Sequence, residues 1–295
     1  MKRLLNGLLF KNSLVYAKTS STPNHKVRGL LVLFLIFCFN GFAQINLVPN
    51  PSFEIHTACP NAGSQINFAT PWTGTNNSTD YFNACSAAFS VPFQNYGFAG
   101  FQYARTGTAF AALFTLNSYG SSYREYLQVQ LNDTLENSKC YYVSYFVNLQ
   151  NPIGLATNNL DAYFSNNSFT TSGTPAPYIP QIQGFKNIVV NDTLNWVEIS
   201  GIYNAIGGER FISIGNFFDD LHTDTIQTRN GSVSAAYYFI DDVSVIPIES
   251  IPGGMPVNAG NDTSVITGDS VFIGQKISNL NCNWYNSGGS LMASN

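Results

Sequence analysis

The chain has 295 residues, of which 10% are charged and 14% aromatic, with 13 basic and 17 acidic side chains and a formal net charge of −4. An average soluble protein carries about 25% charged residues, so solubility here rests on neutral Asn, Ser, Thr and Gly. That balance excludes the basic footprint of a nucleic-acid binder and the polybasic patch that docks on anionic lipid. It favours neutral ligands over polyanions.

The first element is an apolar run from Gly29 to Phe39, preceded by Lys26 and Arg28 and followed by Gly41-Phe42-Ala43-Gln44. It is about half as long as the roughly 20 apolar residues of a spanning helix. Its basic flank and small-residue end are those of a secretory signal peptide cut after Ala43. Residues 1–43 are therefore read as leader and signal peptide. The mature chain is expected to be secreted or held at the outer cell surface, with no direct membrane insertion. The stretch Met1 to His25 is long for a basic leader, and a downstream start and a genuine extension are both open.

Cys38 leaves with the signal peptide, so the mature chain keeps Cys59, Cys85, Cys140 and Cys282. Cysteines in an oxidising compartment suggest disulfides. Cys59 and Cys85 flank a Gly/Asn/Thr-rich loop, and a bridge closing a loop of that size contributes about 3 kcal/mol. Cys140 opens a strongly β run as a candidate buried thiol, and no partner for Cys282 is evident. None of the spacings fits a zinc site.

From Ile45 to Ile248, short runs of strand formers alternate with Gly, Asn, Pro and Ser clusters at the spacing of a sandwich or barrel. No amphipathic helix stands out. Strands are predicted at Thr108–Thr115, Arg124–Leu131, Cys140–Leu149, Leu160–Ser165, Phe185–Val190, Trp196–Tyr203, Phe211–Phe218 and Tyr237–Ile248. The fold class is all-β, with one β-sandwich over residues 44–248. Successive strand side chains point to opposite faces. Leu127, Val129 and Leu131 thus make a core face, opposite Arg124, Tyr126, Gln128 and Gln130; Val197 and Ile199 oppose Trp196, Glu198 and Ser200. The polar-aromatic faces suit either a solvated sheet or a sugar-binding groove.

Sugar recognition needs an aromatic plane for the apolar side of a pyranose and planar amides or carboxylates for its hydroxyls. The candidate ligand-binding residues are Trp72, Tyr81, Tyr126, Gln128, Trp196 and Glu198, with Gln130 and Asn148 of the same type. Large aromatics more often serve the core, and Trp72, after Pro71, equally reads as a plug at one end of the sandwich. Enzymatic readings have little support. His56 and His222 are far apart, and there is no Gly-x-Ser-x-Gly elbow or His-Glu-x-x-His helix. Glu125, Glu198 and Glu209 cannot be placed across a cleft as a glycosidase requires, and Glu125 is expected to pair locally, for example with an arginine. The segment Phe218 to Asp224, with two consecutive aspartates and a histidine, reads as a solvated loop before it reads as a metal loop.

Ile248 to Pro256 is rich in Pro and Gly, which marks 249–256 as a linker. After it, Val257 to Thr263, Gly268 to Gly274 and Cys282-Asn283-Trp284-Tyr285 look like the opening strands of an Ig-like or PKD-like repeat. Such a domain needs about 100 residues, so residues 257–295 are expected to be an incomplete unit.

Several segments together resemble one family. They are Asn50-Pro51-Ser52-Phe53-Glu54, Ser78 to Cys85, Tyr123-Arg124-Glu125-Tyr126, Gly207-Gly208-Glu209, Ile214-Gly215-Asn216-Phe217 and Tyr238-Phe239-Ile240-Asp241-Asp242-Val243. The family comprises exported proteins of Bacteroidota-type bacteria in which a galactose-binding-like jelly roll precedes Ig-like repeats, often with a gliding-motility or type IX secretion sorting domain or an OmpA-like domain beyond. The resemblance implies a jelly roll that binds glycan or extracellular matrix polymer without catalysing a reaction. The runner-up readings are a structural accessory domain of a larger secreted enzyme or adhesin, and a glycan-directed hydrolase. It also implies a structural Ca2+ at Glu54 and Asp241, where carbohydrate-binding jelly rolls join the acidic ends of their first and last strands. Asp-Thr-Leu at 133–135 and 192–194 is similar to O-glycosylation sites of such proteins, which would place glycans on Thr134 and Thr193; the same tripeptides also make good turns.

Overall fold

The computed structural model describes residues 45–95, 100–117, 122–184, 188–228 and 234–248, with the backbone of two short strands at 283–285 and 291–294. The expected leader and signal peptide (1–43), the linker (249–256) and all but those two strands of the expected Ig-like unit (257–295) lie outside the described residues. In chain order the strands are β1 Thr73–Gly74, β2 Asp80–Asn83, β3 Phe93–Gln94, β4 Gly100–Phe101, β5 Ala109–Asn117, β6 Tyr126–Gln130, β7 Cys140–Leu149 and β8 Leu155–Thr157. They continue as β9 Asp161–Ser165, β10 Val197–Asn204, β11 Phe211–Gly215, β12 Thr225–Gln227, β13 Ala235–Pro247, β14 Asn283–Tyr285 and β15 Leu291–Ser294. Two single-turn 3-10 segments, Ile66–Phe68 and Asp220–His222, interrupt the strands. None of the described helices is long and apolar enough to cross a membrane.

A five-stranded antiparallel sheet in the order β10-β7-β13-β5-β2 faces a four-stranded sheet in the order β1-β6-β11-β9. From β5 onward the main strands alternate between sheets: β5, β7, β10 and β13 belong to the larger, and β6, β9 and β11 to the smaller. That winding makes the sandwich a jelly roll, the expected all-β architecture. β8 pairs with β12, β3 with β4 and β14 with β15 as two-stranded ribbons.

The core follows the period-2 pattern of the strands. In β7, Tyr141, Val143, Tyr145, Val147 and Leu149 point inward and are at most 2% exposed. They join Leu127 and Val129 of β6, Ile212 and Ile214 of β11, and Tyr238 and Ile240 of β13 in one hydrophobic cluster. Each fully buried side chain of this kind contributes about 1.5–3 kcal/mol. Across the sheets, Phe164 of β9 stacks on Tyr203 of β10 with ring centroids 4.7 Å apart. Buried tyrosine hydroxyls need partners, and they find carbonyls: Tyr145 donates to Leu160 O at 2.8 Å and Tyr238 to Val190 O at 2.6 Å.

Both outer faces are covered as well, which the alternation of β6 does not foretell. On the four-stranded sheet, Tyr126 packs with Ala176, Phe217, Tyr163 and Phe169 in a second cluster beneath the segment between β9 and β10. On the five-stranded sheet, Phe82, Phe110 and Phe239 form an aromatic layer at 4.6–5.6 Å centroid spacing. Phe89 and Trp196 pack against it from outside. The strand predicted at Phe185–Val190 does not form in its described part: Ile188 to Val190 is irregular, although Val190 N–H donates to Thr157 O at 3.2 Å.

The two ends of the sandwich meet. Leu47 N–H donates to Val245 O at 2.9 Å, Val245 N–H to Asn46 Oδ1 at 3.0 Å, and Val243 N–H to Pro51 O at 3.0 Å. Between them β13 carries a bulge at Asp241–Ser244, with Asp242 at φ +50°. The bulge sends consecutive aspartates in different directions: Asp241 Oδ2 accepts Arg105 N–H at 2.8 Å, while Asp242 pairs with the Arg105 guanidinium and with Ser52 Oγ.

Candidate functional site

An open groove of about 400 Å3 lies on the outer side of the five-stranded sheet, walled by Phe101 to Arg105 on one side and Thr193 to Trp196 on the other, with Asn151 between. The β3–β4 ribbon builds the first wall. Gln94, 1% exposed, donates from Nε2 to Pro92 O at 2.7 Å, and Gln102 N–H donates to the same carbonyl at 2.9 Å. These bonds fix the ribbon's backbone while its aromatic rings face water: Phe93 is 60%, Phe101 42% and Tyr103 64% exposed. Their rings form a continuous edge-to-face row, 4.9 Å from Phe93 to Phe101 and 5.2 Å from Phe101 to Tyr103.

The second wall is fixed by an Asp turn. Asp192 Oδ1 accepts Leu194 N–H and Asn195 N–H, each at 2.8 Å, and these bonds hold its carboxyl below the usual range despite its partial burial. Asn151 ties the walls together, accepting Phe101 N–H at 3.1 Å and donating to Thr193 O at 2.9 Å. Trp196 donates its indole N–H to Tyr103 O at 3.1 Å, with its ring edge-on to Phe110. Below, Asn148 is fully buried and donates to Asn195 O at 3.0 Å; its Oδ1 has no protein hydrogen-bond partner among the described residues. Arg105, the cation of this region, lies 3.3 Å over the Phe146 ring and is paired with Asp242. The groove therefore offers rings and amides with its positive charge already engaged.

Of the residues expected to bind ligand, Trp196 lines this groove. Glu198, exposed two residues further on in β10, accepts the Tyr142 hydroxyl at 2.7 Å and lies outside the lining. The other four are enclosed. Trp72 is 1% exposed, packs with its ring tilted 4.9 Å from that of Phe53 and donates to Asn50 O at 2.9 Å, which is the plug reading. Tyr81 is fully buried with its hydroxyl donating to Phe53 O at 2.8 Å. Tyr126 is fully buried, its hydroxyl accepting Ala176 N–H and donating to Asn216 O at 2.8 Å each, and burial raises it to about 12. Gln128, 3% exposed, donates to Ser213 Oγ at 2.8 Å. These four are not brought to a common surface, because a second layer of chain covers the faces they occupy.

Glu54 and Asp241 do converge on one loop, Arg105 to Ala109. Glu54 accepts Thr108 N–H at 2.8 Å, Ala109 N–H at 2.9 Å and Thr108 Oγ1 at 3.0 Å. Asp241, fully buried, accepts from Arg105 N–H and from Asp242 N–H at 2.7 Å. Burial, with the Asp242 charge second, pushes Asp241 up to about 8. With so many donors already on them, the two carboxylates keep only part of their acceptor capacity for a cation that wants six to eight oxygens.

The expected disulfide is present: Cys59 and Cys85 are bonded with Cα atoms 5.7 Å apart. Glu125 pairs locally but not with an arginine. It is 3% exposed, accepts Phe114 N–H at 2.9 Å and the Tyr123 hydroxyl at 3.1 Å, and burial, followed by the Asp80 charge, raises it to about 8. The neighbouring Arg124 instead reaches Asp220 Oδ1 at 2.9 Å. That engages the acidic segment 218–224, whose other end is closed by Asp219 accepting His222 Nδ1–H at 2.6 Å.

No family model matches the chain, and no curated protein matches it. Among solved structures, the CBM22-1 xylan-binding domain of Paenibacillus barcinonensis Xyn10C is similar at 15% identity, covering 70% of this chain and 96% of its own, with a TM-score of 0.36. TmCBM61, solved with beta-1,4-galactotriose, is similar at 16% identity over 69% of this chain and 99% of its own, with a TM-score of 0.31. The K1 cleaved adhesin domain of Lys-gingipain from Porphyromonas gingivalis W83 reaches 16% identity over 66% and 95%, with a TM-score of 0.33. Likenesses at this level assign neither a fold nor a ligand to this chain, and the jelly roll stands on its own strand pairing.

Proposed function

We propose that residues 44–248 are a non-catalytic module, secreted or displayed at the outer cell surface, that binds a neutral glycan or matrix polymer in the groove between Phe101–Arg105 and Thr193–Trp196. The observation that carries this reading is the row Phe93, Phe101 and Tyr103, which stays exposed on a ribbon whose backbone is tightly bonded. A fixed aromatic edge in water provides a stacking surface for the apolar face of a pyranose at little ordering cost. The adjacent Asn151 and Asn195 amides provide planar hydrogen-bonding groups for hydroxyls. With Arg105 engaged by Phe146 and Asp242, the groove favours uncharged sugars over sulfated or uronic polymers.

The test is a pull-down and calorimetric titration of the mature chain against neutral polysaccharides. Tyr103→Ala and Trp196→Ala are expected to weaken binding at least tenfold, about 1.4 kcal/mol. A folded chain that retains no polysaccharide would overturn the reading in favour of a structural accessory domain. We further propose that Glu54 and Asp241 hold Ca2+, which would take over acceptor capacity now used by the 105–109 backbone. Chelator is then expected to lower the melting temperature, and an unchanged melting temperature would remove the ion.

A further inference from the structure

The turn after Glu54 gathers three nitrogen and sulfur donors. His56, Cys59 and Cys85 are all exposed, and one ligand atom from each lies within 4.8 Å of the others. With the cysteines joined as a disulfide, His56 Nε2 stands 3.9 Å from Cys85 Sγ. The imidazole is oriented from behind. Its Nδ1 lies 3.0 Å from the Glu54 carbonyl oxygen, a contact made by an N–H and not by a lone pair. In the Nδ1–H tautomer that this contact favours, the ring presents its Nε2 lone pair towards the sulfurs. Asn83 Nδ2 gives one N–H to the Tyr81 hydroxyl at 2.8 Å and lies 3.5 Å from the same His56 Nδ1, a longer contact than that of Nδ1 with the Glu54 carbonyl.

Both cysteine-bearing loops are held by bonds other than the disulfide. Asn83 Oδ1 accepts Cys85 N–H at 2.9 Å, and Ser86 Oγ donates to Pro60 O. Thr57 N–H donates to Phe68 O at 2.9 Å, and Asn50 Oδ1 accepts Ile55 N–H at 2.9 Å. Breaking the sulfur–sulfur bond therefore leaves two thiols side by side next to an aimed imidazole.

We infer that His56, Cys59 and Cys85 form a reduction-gated site for a thiophilic divalent cation of the Zn2+ type. A dithiol reductant supplies two electrons and two protons. The Cys59–Cys85 bond breaks to two thiols, and the dithiol closes to its own disulfide. The cation then displaces both thiol protons to solvent and is bound by two thiolates and His56 Nε2, with water in the fourth tetrahedral position. Zn–S bonds of about 2.3 Å and Zn–N bonds of about 2.0–2.1 Å place tetrahedral N and S ligands roughly 3.5 Å apart, a small closure from the 3.9 Å seen here. The same three residues thus form a covalent staple in oxidising surroundings and a cation site in reducing ones.

The experiment uses the full chain, reduced with dithiothreitol, freed of reductant by anaerobic gel filtration and titrated with Co2+ as the probe. The expected result is one Co2+ per reduced chain, with thiolate charge-transfer and tetrahedral visible bands that Zn2+ displaces, and none on the oxidised chain. His56→Ala is expected to weaken binding at least tenfold. Cys59→Ser, which keeps Cys38, Cys85, Cys140 and Cys282, is expected to abolish the bands. A reduced wild type that keeps its β-sheet circular dichroism but shows no bands overturns the proposal, as do bands undiminished in Cys59→Ser. The second readout is melting temperature: Zn2+ should raise it in the reduced wild type and not in Cys59→Ser, and equal rises in both also overturn the proposal.

Discussion

Over the four-stranded sheet, Tyr126, Tyr163, Phe169 and Phe217 are packed beneath the segment that follows β9, whereas at the rim of the five-stranded sheet Phe93, Phe101 and Tyr103 stand in water. The residue types are nearly the same, so aromatic character alone does not separate core from surface. What separates them is whether another stretch of chain reaches over the strand and bonds the polar tips. Tyr126 has its hydroxyl bonded on both sides, to Ala176 N–H and Asn216 O. The β3–β4 ribbon spends its own polar groups on holding its backbone and leaves the rings outside.

The sharpest way to break this contrast is to compare the tryptophans. Trp72→Ala is expected to cost about 3–5 kcal/mol as a buried-aromatic deletion, read by denaturant unfolding, and Trp196→Ala less than half of that. Equal costs would mean that the rim is core.

Acidity gives the next largest effect, through the enclosed carboxyls. Glu125 is raised to about 8 and Asp161 to about 7, each mainly by burial. The folded chain therefore holds protons that the unfolded chain has released. Stability from these groups is full below about pH 4, near the unfolded carboxyl values, and is lost as pH rises through 7 and 8. Melting temperature is expected to fall from pH 5 to pH 8, and Glu125→Gln to flatten part of that slope. A wild-type profile rising over the same interval would show these carboxyls to be ionised in the fold.

Tyr126→Phe is expected to cost about 1–3 kcal/mol, because it strands an enclosed N–H and a carbonyl. Tyr103→Ala is expected to change stability by no more than about 0.5 kcal/mol while polysaccharide retention drops. If Tyr103→Ala destabilised as much as Tyr126→Phe, the rim row would be structural after all.

The strands were legible where β-branched and aromatic residues alternate with a single apolar face. Cys140–Leu149 has the predicted bounds, and Leu127 and Val129 face the core as expected. The opposite face of β6 was misread because period-2 patterning cannot tell water from a second layer contributed by residues about 50 positions away, as in the Ala176–Tyr126 bond. The groove was missed for the converse reason. Its first wall belongs to the stretch Phe93 to Tyr103, where aromatics are spaced by Gly, Gln, Asn and Ala with no period-2 alternation to mark a strand. Its usable signal was the density of aromatics there with few aliphatic neighbours to bury them. The His56 arrangement was equally invisible, since its ligands come from loops 26 residues apart, outside any metal-binding spacing.

The position of β13 has a consequence for how the domain comes into being. This strand lies between β7 and β5, and its residues bond to groups as far as 199 positions earlier. Until residue 247 has emerged, the larger sheet is two separate pieces with open edges facing a gap, the arrangement most exposed to intermolecular pairing. Assembly is thus an all-at-once event that waits for β13, slow by virtue of its long-range pairing. Fragments ending before Ala235 are expected to aggregate rather than to fold in part.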